Sequence, residues 1–224
     1  MVHEFDAFLA ITGQDLNGPA PGTAARLSVD ALPIGLTYTF SASLSPDAAD
    51  LGLKYTFSNT TGVTLDGLRF LALLDVEIDA PVNTFFNEYG EVIGVAGPGV
   101  SWEIDEPGFV FGDIVDHLLT GTLDNSNAVP PGSPDDAALA LGFDLGSLAP
   151  GGMATIDLLV SEAMHSIGSL ALLQRDADPD STTVVTFSGR VNNTITVPEP
   201  ASIALMLLGL AGLGMVWGYG KKPL

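Results

Sequence analysis

Leu36-Thr37-Tyr38-Thr39-Phe40-Ser41-Ala42-Ser43-Leu44-Ser45 alternates apolar and polar side chains at every step. That period of two is the pattern of a β-strand with one buried face, and it puts Tyr38 and Phe40 on the core side. Past Pro46 and Gly52 the alternation returns in Leu53-Lys54-Tyr55-Thr56-Phe57-Ser58, and Asn59-Thr60-Thr61-Gly62 supplies a turn. The two runs are expected to pair as a hairpin. Leu68-Arg69-Phe70-Leu71-Ala72-Leu73-Leu74 is almost continuously apolar, as a strand buried on both faces would be, although a run of that length also fits a short helix.

Further strands are expected at residues 99–104, 155–161, 170–174, 184–190 and 193–196. The one internal helical pattern follows Asp113, where Ile114, Val115, Leu118 and Leu119 share a face, Asp113 stands as N-cap and Gly121 as stop. It allows two turns. The stretch 125–136, rich in Asn, Ser, Pro, Gly and Asp, reads as a long exposed loop. Many short strands between turn-formers, with no βα alternation, predict an all-β fold. Its expected form is an antiparallel immunoglobulin-like or jelly-roll-type sandwich of about eight to ten strands over residues 1–192.

Composition limits function. Seven Lys and Arg stand against 27 Asp and Glu, a net charge of −20, and such a chain lacks the basic face that nucleic acid requires. Cysteine is absent, which removes thiolate metal sites and a Cys nucleophile.

The C-terminal segment differs from everything before it. From Ala201 to Gly220 no residue is charged, and a helix of that length spans roughly 30 Å, the thickness of a bilayer's hydrocarbon core. Trp217 and Tyr219 stand at its far end, where amphipathic rings favour the interface, and Lys221 and Lys222 follow. All 27 acids precede the span, with only five basic residues among them. Basic residues favour the cytoplasmic side, so the expected orientation is body outside and C-terminus inside. Before the span, Val197-Pro198-Glu199-Pro200 interrupts regular structure and holds the chain extended.

Pro198-Glu199-Pro200, an apolar helix and a basic end, in that order, resemble the PEP-CTERM sorting signal of exported bacterial proteins. The likeness covers Val197 to Leu224. It implies recognition of Pro198, Glu199 and Pro200 in the membrane by an exosortase, a Cys transpeptidase-like enzyme, with cleavage near the motif. It also implies a surface, extracellular-matrix or biofilm setting, often beside exopolysaccharide. Residues 193–200 are then a linker, and residues 201–224 are the transmembrane helix and basic tail. The Lys pair stands where that family usually carries an Arg-rich cluster. Met1-Val2-His3-Glu4-Phe5-Asp6 has no signal-peptide character, so export implies a targeting segment upstream of Met1 or already removed. The segments Trp102–Asp105 and Asp124–Asn127 also resemble stretches in bodies of that family.

No residue pattern demands catalysis, and a non-enzymatic protein is expected. Asp176, Asp178 and Asp180 alternate in a loop that could wrap oxygens round Ca²⁺ with ligands from elsewhere, or could be a solvated acidic turn. The EF-hand pattern fails, because Ser181 and Phe187 occupy its Gly and Glu positions. No other cofactor is expected. Asp75, Glu77 and Asp79 fall on one face of a strand and are expected on a wet outer surface. His3, His117 and His165 have no zinc spacing, and His117 reads as a surface or capping residue. The competing reading is a Ca²⁺-dependent glycan-binding module on a plain membrane anchor.

Overall fold

The computed structural model describes residues 4–12, 35–78, 83–108 and 111–194. The sorting residues 198–200, the apolar span 201–220 and Lys221–Lys222 lie outside the described residues, as does Asp79.

Among the described residues, ten strands and one short α-helix follow in chain order, with a single 3-10 turn at Phe85–Asn87: β1 (Glu4–Thr12), β2 (Leu36–Leu44), β3 (Asp50–Asn59), β4 (Leu65–Glu77), β5 (Glu88–Gly94), β6 (Val100–Asp105), α1 (Ile114–Thr120), β7 (Ala138–Leu148), β8 (Met153–Ser161), β9 (Leu170–Asp176) and β10 (Val184–Thr194). They form two antiparallel sheets, one of four strands in the order β1-β4-β7-β6 and one of six in the order β2-β3-β8-β10-β9-β5. The all-β expectation holds. β2 and β3 pair as the expected hairpin, with Leu36 opposite Asn59 and Leu44 opposite Leu51.

The inner faces of the sheets meet through aromatic rings. Phe70 of β4 lies 5.2 Å from Tyr55 and 5.8 Å from Phe57 of β3, and 6.5 Å from Phe143 of β7. The tilted contacts to Tyr55 and Phe57 cross from one sheet to the other, while Phe143 is the partner of Phe70 on the neighbouring strand of the same sheet. Each such buried side chain contributes about 1.5–3 kcal/mol relative to an exposed one. Burial pushes the Tyr55 hydroxyl up to about 12. The continuously apolar run proves buried on both faces: Phe70, Ala72 and Leu74 enter this core, while Leu71 and Leu73 face outward beneath α1, against Ile114 and Leu118.

Several expectations need correction. β2 is an edge strand of the wider sheet, so only Leu36 is buried; Phe40 is 50% exposed and Leu44 62%. Phe40 keeps a ring contact of 4.8 Å with Tyr55, but it is not core. Residues 125–136 are not simply an exposed loop. Val129 is buried, and Gly90 donates to its carbonyl while Asn127 Nδ2 donates to the Gly90 carbonyl, tying the segment over β5. β10 runs unbroken through residues 184–194, joining two runs read as separate strands and passing the expected body limit at 192. β1, β5 and β7 lack a clear strand pattern in the sequence: β5 carries two glycines and a buried acid, and β7 is built largely of Ala, Gly and Leu. The helix matches its reading. Gly121 closes it at φ 73°, although the Asp113 side chain makes no capping bond.

Candidate functional site

Acidic side chains gather on the outer face of the four-stranded sheet. β6 alternates, so Trp102 and Ile104 point into the core while Glu103 and Asp105 face out beneath α1. Glu103 is buried beneath the helix. Its Oε1 lies 2.8 Å from His117 Nδ1, and its Oε2 accepts from the Asp124 N–H at 3.4 Å. Asp113 approaches the same imidazole at 3.5 Å. Asp105 accepts the Glu106 and Asp113 N–H groups.

Burial raises the Glu103 and Asp105 carboxyls above their ordinary range, whereas the bond to Glu103 raises the His117 imidazole. Two sets of ligand atoms centre on Glu103, one with His117 and Asp124 and one with Asp105 and Asp113, each within 4.8 Å. Carboxylate oxygens alone suit a hard cation such as Ca²⁺, and an imidazole nitrogen extends the range to transition metals. The same contacts also anchor α1 to the sheet. Local sequence marks His117 as a surface or capping residue and does not reveal its buried partner, because Glu103 and His117 meet only through the fold.

The two segments that resemble bodies of the sorting family lie side by side. Asn125 N–H donates to the Trp102 carbonyl, Trp102 N–H donates to Asn125 Oδ1, and Ile104 N–H donates to the Ser126 carbonyl.

A second cluster lies where β4 ends. Asp75 and Glu77 come within 4.8 Å of Asp136, and Asp75 is buried. The expected wet face is therefore corrected: the connection carrying Asp136 covers this end of the sheet. Burial pushes Asp136 up to about 7, with Glu77, Glu106 and Asp135 adding repulsion.

Asp176, Asp178 and Asp180 follow β9. Asp176 is buried and accepts from Asn83 Nδ2 at 2.6 Å, Asn87 Nδ2 at 3.0 Å and the Asp178 N–H at 2.7 Å. Asp178 and Asp180 are exposed in the turn beyond it. The compact metal-ligating groups among the described residues are elsewhere.

β10, the last described strand, ends at Thr194, four residues before Pro198. Residues 196–221 match the family model of the PEP-CTERM protein-sorting motif. The chain carries a PEP-CTERM sorting signal. The match contains Pro198, Glu199, Pro200, the apolar span and Lys221, in the order the sequence reading used. A PEP-CTERM signal marks an exported protein that an exosortase recognises at the membrane. No curated protein matches the chain. Among the described residues, no helix is long and apolar enough to cross a membrane.

Proposed function

We propose that this chain is an exported bacterial surface or extracellular-matrix protein whose body serves a structural or interaction role, not a catalytic one. The body is an immunoglobulin-like or jelly-roll-type sandwich held outside the inner membrane, with Lys221 and Lys222 on the cytoplasmic side, until an exosortase cuts near Pro198-Glu199-Pro200. Its setting is a biofilm or other matrix containing exopolysaccharide.

The observation that carries this reading is the sorting motif at residues 196–221. Cleavage near residue 200 removes no described strand, since β10 ends at Thr194. The test is the intact mass of the protein from its native host beside a triple variant, Pro198→Ala, Glu199→Ala and Pro200→Ala. A wild type that has lost its tail near residue 200, with a variant that keeps it, supports processing. Retention of the tail by both, in a host that processes other such tails, refutes it.

The Glu103-centred carboxylates favour one second reading, a Ca²⁺-dependent glycan-binding module on a plain anchor. A melting temperature that rises with Ca²⁺ and is unchanged by it in Glu103→Gln would favour that reading, because a ligand specific to the folded state raises the transition.

A further inference from the structure

The connections of the sandwich sort by charge along its length. Strands alternate in direction, so among the described residues the links at 45–49, 83–87, 106–108, 111–137 and 177–183 fall at one pole and those at 60–64 and 149–152 at the other. The first set contains nine Asp or Glu and no Lys or Arg. At the opposite pole, residues 35–37, 59–65 and 148–153 contain no charged side chain, and Val63 stands 61% exposed. Asp66 flanks this pole on β4.

The uncharged pole is a built surface. Asn59, 1% exposed, sits at its centre. Its Nδ2 donates to the carbonyls of Val63 and Leu148, each at 2.8 Å, joining a turn of the six-stranded sheet to the end of β7 in the other. Thr60 Oγ1 donates to the Gly35 carbonyl at 2.7 Å. β10 leaves from the same pole, with Thr194 opposite Met153.

We propose that this pole is the membrane-facing end of the tethered body, lying against the headgroup surface of the bilayer while the acidic pole points away. The proposal rests on the tail being a membrane span. Six residues lie between Thr194 and Ala201, a reach of about 25 Å over the seven Cα steps at full extension, and the prolines among them limit its freedom to fold back. The acidic pole lies a further nine-residue strand away, about 30 Å. A charge at that distance is beyond the roughly 8–10 Å over which salt leaves it effective. A carboxylate against the headgroups would lose hydration and meet anionic lipid; an uncharged turn tipped with Val63 meets neither penalty.

The absence of native cysteine makes the test direct. The full chain is labelled with one fluorophore at Val63→Cys or at Ala177→Cys, an exposed position of the acidic pole, after both variants are shown to melt as the wild type does. Each is reconstituted in phosphatidylcholine vesicles containing phosphatidylglycerol and a headgroup-linked quencher. The expected result is quenching several-fold stronger at Val63 than at Ala177. Equal or reversed quenching in vesicle-bound protein overturns the orientation while leaving the anchor reading intact. Failure of the chain to float with the vesicles overturns both.

Discussion

The Glu88 carboxyl and the Gln174 side chain meet in the interior where the two sheets join. Gln174 Nε2 donates to Glu88 Oε2 and, at 2.5 Å, to the Val76 carbonyl, while Glu88 Oε1 accepts the Ile78 N–H at 2.8 Å. The pair therefore fastens β5 and β9, at one edge of the six-stranded sheet, to the end of β4 in the other.

Burial pushes Glu88 up to about 9, outweighing its hydrogen bonds, with Glu77 and Asp136 adding repulsion. A folded-state carboxyl with a raised pKa holds its proton when the unfolded chain has released it. Stability is then greatest below the unfolded value, about 4.5, and falls as pH rises towards 9. Asp136, raised to about 7, acts in the same direction over the lower part of that range. Melting temperatures should decline from pH 5 to pH 9, and Glu88→Gln should flatten the slope. A wild-type protein that gains stability across this range would contradict the assignment.

Removing the donor has its own cost. Gln174→Ala leaves the Val76 carbonyl and a buried carboxyl without their partner, at about 1–3 kcal/mol for each group left unpaired. Urea unfolding at pH 6 would measure it.

His117 offers a spectroscopic check. With Glu103 Oε1 at 2.8 Å, the imidazole should titrate above its usual 6.5. The stabilisation from this raised pKa is present below 6.5 and is lost as pH rises through the folded value. In an NMR titration, Glu103→Gln should move the His117 midpoint downward. An unchanged midpoint would mean that the two side chains do not interact in solution.

Packing between the sheets is tight at Gly90. A Cβ there would sit 2.3 Å from Ile104 Cγ2 and 2.8 Å from its Cδ1. Gly90→Ala should cost about 1–3 kcal/mol by overpacking. Adding Ile104→Val should recover part of the loss, seen as a favourable coupling in a double-mutant cycle.

Asn59→Ala should destabilise more than its place in a surface turn suggests. Besides its two donations, Oδ1 accepts from the Thr61 N–H and hydroxyl. Losing this hub leaves buried groups unpaired at about 1–3 kcal/mol apiece. Differential scanning calorimetry beside Asn192→Ala, whose side chain is exposed, provides the comparison.

Sequence alone determined the parts governed by local order: the alternation at Leu36–Leu44, the apolar run of β4, the two-turn helix closed by Gly121, and the consecutive Pro-Glu-Pro, apolar span and lysines of the sorting signal. Such patterns are legible because neighbours in sequence are neighbours in space. What tertiary structure decided depends on residues far apart in the chain. Phe40 has the pattern of a core residue, but the position of β2 at a sheet edge leaves it half exposed. Asp75 has the pattern of a surface acid, but the connection carrying Asp136 covers it. Glu103 meets His117, and Glu88 meets Gln174, only because a β-sandwich brings distant strands together. Burial, which sets their protonation, is a property of that packing and not of any single segment.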